Sequence, residues 1–168
     1  MVARRQLIGE LGASLQRYKR SVQSYDDAVG RALALGPADL RCLDWLADGP
    51  KTAGVLATAI GLRPAATTAL IDRLEAKGLV ERVRDETDRR RVLVRMTDEG
   101  MRSTYAMYAP LVEEGQGLFA HHTVAELTAM RDLLDAMRVL TDRHRDGITA
   151  RQDSSDVRTA PGTPGAVR

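Results

Sequence analysis

Six arginines fall within one short stretch, at positions 82, 84, 89, 90, 91 and 95, and only Asp85, Glu86 and Asp88 stand against them. Six charges less three leave a local +3, although the whole 168-residue chain carries only +2. A guanidinium is a planar fork that matches phosphate oxygens, and at the tip of a loop it can also enter a narrow minor groove. Chemistry of other kinds has little to work with here. No nucleophile stands beside a base, and there is neither a Gly-rich phosphate loop nor a metal-ligand signature, so the chain is read as a non-enzyme without cofactor or metal. His121 and His122 are adjacent, which points their rings apart, and they are read as part of a loop between helices.

The elements needed to present such a cluster lie directly around it. After Gly78 the apolar period becomes alternating, with Leu79, Val80 and Val83 before "DETDRR" and Val92, Val94 and Met96 after it, the pattern of a two-stranded hairpin. Ahead of it, "TAGVLATAIG" spaces Val55, Leu56, Ala59 and Ile60 as a helix that Gly61 ends, and Pro64 suits the first turn of the next. In that second helix Thr67, Leu70, Ile71 and Leu74 share one side. Ala65, Ala69, Asp72 and Ala76 point away, flanked by Thr68 and Arg73. A face this small sits close to base edges, its methyls against thymine methyls and its hydroxyl within reach of a base or phosphate. The candidate DNA contacts are therefore Arg63, Ala65, Ala66, Thr67, Thr68, Ala69 and Arg73 on the helix, with Arg84, Arg89, Arg90 and Arg91 on the hairpin. Helix-turn-helix plus basic hairpin predicts a winged helix-turn-helix in a mainly α fold.

"IDRLEAKGLVER", then Asp88-x-Arg90 with Thr97 beyond it, then "TDEG" at the head of the next helix, occur in an order and spacing that resembles the MarR (multiple antibiotic resistance regulator) family over most of the chain. The resemblance implies a dimeric transcription regulator, commonly a repressor, that leaves a pseudo-palindromic operator when a small phenolic or lipophilic ligand, or an oxidant, alters the spacing of its two heads. It also implies that Arg90 is the arginine entering the minor groove and that Asp88 braces the wing by pairing with an arginine, for which Arg73 is the candidate. The bare Ala65, Ala66 and Ala69 depart from the Ser, Thr or Arg often found there in the family.

Long helices flank this head. Leu7, Ile8, Leu11, Leu15, Tyr18, Val22, Tyr25, Val29 and Leu33 form a stripe that predicts an N-terminal dimerisation helix over 1–35, broken by Gly36-Pro37. The winged region is expected over 36–100 and two C-terminal dimerisation helices over 101–145, with Thr123 and Glu126 as a capping box. From 146 to 168 Gly, Pro, Ser, Asp and Arg dominate, and a disordered tail is expected. Together the outer helices carry more apolar surface than one head can cover, which predicts a homodimer with reading helices ~34 Å apart. Tyr18, Tyr25, Trp45 and Tyr105 are the candidate ligand-binding residues. With no signal peptide and no run of 18 apolar residues, a cytoplasmic protein without membrane contact is expected. Two alternatives remain at this point: a winged-helix protein–protein interaction module, towards which Asp72 leans, and a redox sensor using Cys42, the single cysteine.

Overall fold

The computed structural model describes residues 2–159. The chain runs α1 (Val2–Leu33), α2 (Pro37–Ala47), α3 (Ala53–Ile60), α4 (Pro64–Ala76), β1 (Val80–Arg84), β2 (Val92–Met96), α5 (Asp98–Leu118) and α6 (Val124–Thr159). It divides into two compact units after Val112.

The first unit is the winged head. Gly36 precedes α2, and Pro37 occupies its first turn, where a missing N–H costs nothing. The Thr52 hydroxyl caps α3 by accepting from the Val55 amide, and Gly61, at φ 74°, closes it in the left-handed conformation. Pro64 then opens α4, and α3 and α4 meet at 107°. In α4, Thr67, Leu70, Ile71 and Leu74 are buried while Ala65, Ala66, Thr68, Ala69, Asp72 and Ala76 are exposed, as the three- and four-residue spacing predicts. The β-branched residues cost at most ~0.7 kcal/mol each in helix propensity. Burying one Leu or Ile is worth about 1.5–3 kcal/mol, so packing decides that this segment is helical.

The core joins Cys42, Leu43 and Leu46 of α2, Leu56 and Ile60 of α3, Leu70, Ile71 and Leu74 of α4, and Val80 and Val94 of the strands. The strands pair antiparallel with Val80 opposite Met96 and Arg84 opposite Val92. Lys51 extends this sheet at its root: its amide donates to the Val94 carbonyl at 3.0 Å and its carbonyl accepts from the Val94 amide at 2.8 Å. No single described helix is long and apolar enough to cross a membrane. The bent α3–α4 pair is apolar enough in sum, but its large side chains fill this core.

Two outer stretches differ from expectation. The first helix ends at Leu33, two residues early, because Ala34 turns to φ 52° and the Leu35 amide closes back on the Gly30 carbonyl at 2.8 Å. In the second unit, α6 continues to Thr159, through much of the expected tail; residues 160–168 lie outside the described residues. Ion pairs three and four residues apart, Arg138 with Asp135 and Asp142 and Arg145 with Asp142, line the approach to this extension. The start of α6 is as expected, with the Thr123 amide donating to Glu126 Oε2 at 2.8 Å and the Thr123 hydroxyl accepting from the Glu126 amide at 3.3 Å.

The junction from wing to α5 is the tightest in the head. Thr97 donates its hydroxyl to the Gly78 carbonyl at 2.6 Å and accepts from the Gly100 amide at 2.9 Å. A Cβ placed on Gly100 would lie 2.1 Å from the Leu79 carbonyl oxygen, a backbone atom that cannot rotate aside. Gly100→Ala is expected to cost about 1–3 kcal/mol, the usual range for overpacking, read as a lower urea midpoint at unchanged slope.

Candidate nucleic-acid interface

The exposed side of α4 is a strip of methyl groups with one hydroxyl. Thr68 Oγ1 donates to the Pro64 carbonyl at 3.1 Å, so its proton is engaged and the oxygen presents lone pairs outward. Such a group accepts from the amino group of adenine or cytosine and has nothing to give a guanine O6. Thr67, taken as a candidate contact, is only 1% exposed and donates to the Arg63 carbonyl at 3.2 Å. It belongs to the core side of the helix and cannot touch DNA. Arg63 stands exposed just before the first turn of α4.

Arg73 does not meet Asp88. Its Nη2 lies 2.5 Å from Oδ1 of Asp39, a carboxylate that is 3% exposed in the first turn of α2. The other oxygen of Asp39 accepts from the Gly36 amide at 2.9 Å. A buried carboxylate needs both oxygens satisfied, and the nearest cation is on the recognition helix. This hydrogen bond to Asp39 holds the Arg73 guanidinium above its usual pKa.

Pairing divides the wing arginines into two groups. Arg82 bridges Asp72 at 2.5 Å and Glu75 of α4, and Arg95 pairs with Glu81 directly across the strands at 2.8 Å. These charges are spent on the frame. Among the described residues Arg84, Arg89 and Arg90 pair with no carboxylate, and Arg91 approaches Asp85 only to 3.7 Å. The wing arginines without ion-pair partners among the described residues are thus gathered at the tip.

The tip is shaped first by Asp85, a residue without a role in the sequence-based expectation. Asp85 Oδ1 accepts from the Thr87 hydroxyl at 2.7 Å, the Thr87 amide at 2.9 Å and the Asp88 amide at 3.3 Å. Those bonds, the Thr87 hydroxyl first, hold its carboxyl below the ordinary aspartate range. Asp88 Oδ1 accepts from the Arg90 amide at 3.0 Å. Asp88 therefore shapes the turn through the backbone, and not through an arginine side chain as expected. An Asp two residues before a backbone amide is the sequence signal that could have found both turns.

A second feature lies behind the reading face. A cavity of about 480 Å³ opens between α1, α2, the end of β2 and the start of α5. Of the four aromatic candidates only Tyr105 lines it. Tyr25 instead donates to the Met107 carbonyl at 2.6 Å and packs on Tyr108 with ring centres 5.7 Å apart. Tyr18 is 70% exposed and Trp45 is half-exposed, neither of them on the cavity wall. Tyr108, missed in the sequence, does line it and donates to Asp26 Oδ1 at 2.9 Å. Burial, then the hydrogen bond to Asp26, raises the Tyr108 pKa.

The sequence model of the MarR family matches residues 35–91, from the end of the first helical stripe to the wing arginines. The HTH-type transcriptional regulator YcgE of Bacillus subtilis (strain 168) is 38% identical over 104 residues, which cover 61% of this chain and 68% of that protein. The chain belongs to the MarR family. Among solved structures, a MarR family protein from Bacillus stearothermophilus aligns with TM-score 0.62 at 23% identity, over 82% of this chain and 96% of its own. An S. aureus MepR variant bound to an oligodeoxyribonucleotide aligns with TM-score 0.53 at 21% identity, over 76% and 94%. These likenesses share the winged helix-turn-helix fold of a family of transcriptional regulators.

Cys42 does not suit redox sensing. It is fully buried in the core, and burial, with Asp39 second, pushes its thiol up to about 11. At pH 8 about one molecule in a thousand would hold the thiolate, the form that reacts. A thiol-reactive chromophore is expected to leave the native protein unlabelled at pH 8 and to label one site once urea unfolds it; rapid native labelling would contradict this burial.

Proposed function

We propose that this MarR family chain is a sequence-specific regulator that grips duplex DNA as a homodimer and releases it when a small molecule binds. The observation that carries the reading is the conjunction on one head of a bare, exposed α4 face and a wing tip whose Arg84, Arg89 and Arg90 have no carboxylate partner among the described residues. Ala65, Ala66, Thr68 and Ala69 lie against base edges in the major groove, Arg63 and Arg73 border them, and Arg90 enters the adjacent minor groove with Arg84, Arg89 and Arg91 on phosphates. The oligonucleotide-bound relative supports this use of the fold.

A two-fold partner accounts for apolar surface that one chain leaves open. On α1, Leu7, Ile8 and Leu11 are each about half-exposed or more, and in the second unit Leu133, Leu134 and Leu140 are similarly open along α6. Such stripes at helical spacing are covered by helices of a second copy. The protein–protein module is disfavoured by Asp72, the acid that leaned towards it, because Arg82 neutralises it.

Binding to an operator selected from random duplexes tests the reading. With about three phosphate-bound arginines from each of two protomers, affinity should fall about a thousandfold between ~50 and 200 mM salt, and Arg89→Ala should flatten that slope. Arg90→Ala should weaken binding most at sites with A·T-rich flanks. Ala69→Glu should abolish binding while sedimentation still reports a dimer, since the substitution is on an exposed face. Salt-insensitive affinity or a monomer would overturn the reading.

A further inference from the structure

The charge on the cavity wall points to the kind of molecule it holds. Val22, Leu40, Leu43, Ala47, Met96 and Met101 make most of its surface apolar. Into this lining come two carboxylates, Asp26 and Asp44, against a single cation, Arg41. Asp26 has a partner in the Tyr108 hydroxyl. Asp44 has none among the described residues: the groups acting on it are Asp48 and Asp26, both repelling, and Arg41 is not within ion-pair distance. Burial first, then those two acids, raises its pKa. On α5, Thr104 Oγ1 has no exposed surface and no hydrogen-bond partner, on the same wall. A buried hydroxyl without a partner, and an unpaired carboxylate repelled by two other acids, are costs that a ligand bearing N–H groups and positive charge would remove.

We propose that the cavity takes an aromatic or aliphatic organic cation of the protonated-amine class, its ammonium between Asp44 and Thr104 and its apolar body along Leu43, Met96 and Met101 beside the Tyr105 ring. This departs from the phenolic ligand that the family resemblance implies, because an anion entering here would face Asp26 and Asp44 together. The proposal rests on the ligand-responsive reading above for its regulatory meaning but not for its binding chemistry.

Calorimetric titration of the full chain with 1-naphthylmethylammonium and with 1-naphthoate, one ring system bearing opposite charges, separates the possibilities. The ammonium is expected to bind at least tenfold more tightly. Asp44→Asn, on an exposed and unpaired residue, should lower ammonium affinity about tenfold and leave naphthoate unchanged or improved. Thr104→Val, which keeps the shape, should weaken the ammonium about threefold. Equal or tighter binding of naphthoate, binding of neither ion, or an Asp44→Asn variant with unaltered charge preference overturns the proposal. Release of labelled duplex by the ammonium is measured separately. Charge-selective binding without release upholds the cation site while removing its role as the effector site.

Discussion

One carboxylate holds the head in register. Asp39 is almost fully buried, and its two oxygens serve two helices, closing the first turn of α2 on Gly36 and taking the Arg73 guanidinium of α4. Hydrogen bonds to charged groups contribute about 1.5–3 kcal/mol. The guanidinium side is half-exposed, so its Coulomb share is screened and the lower part of that range applies. The larger constraint is what happens without it. A buried carboxylate deprived of its cation is costly, so α4 cannot slide along α2 unless Asp39 moves as well. The same α2 supplies Leu40, Leu43, Asp44 and Ala47 to the cavity wall. The cavity wall and the anchor for α4 are therefore two faces of one short helix, and a displacement of α2 would move Asp39 and with it the partner of Arg73.

Electrostatic partition does the rest. The six arginines of the hairpin are not equivalent, because acids at 72, 75 and 81 pair with Arg82 and Arg95 near the strand roots, while at the tip the aspartates bond mainly to the turn's own backbone and leave the guanidinium groups open. A nearly neutral protein thereby presents guanidinium groups without side-chain partners among the described residues at an exposed tip, and Asp72 and Glu75 also fasten α4 to β1 through Arg82.

How much of this could be read without coordinates follows from the range of the interactions. Helix faces, the Gly61 stop and the Thr123 cap are set by neighbours within about four residues, the hairpin by alternation on either side of one turn, and each stands where the local pattern puts it. Arg73 and Asp39 are separated by 34 positions, and nothing in local pattern chooses Asp39 over Asp88. The cavity was legible only in outline for the same reason. Tyr25 meets Met107, and Tyr108 meets Asp26, each across 82 positions of chain, and which aromatic ring faces the void depends on how α1 and α5 are rotated about their axes. Thr67 shows a different failure. Its spacing from Leu70, Ile71 and Leu74 puts it on the buried side, so its place among the candidate contacts conflicts with the helix period itself.

The self-bonded turn at residues 85–91 bears on discrimination. The Asp85 amide donates to the Arg91 carbonyl at 3.1 Å, the Arg91 amide to the Asp88 carbonyl at 2.8 Å, and the two aspartate side chains fix the amides between. A finger stiffened in this way loses little conformational entropy on docking, so its gain in affinity comes without a large ordering penalty. It also conforms poorly to a groove of the wrong width. Stiffness of the protein then becomes a gauge for stiffness of the nucleic acid, favouring tracts whose resting shape already fits and rejecting those that must be deformed to receive it.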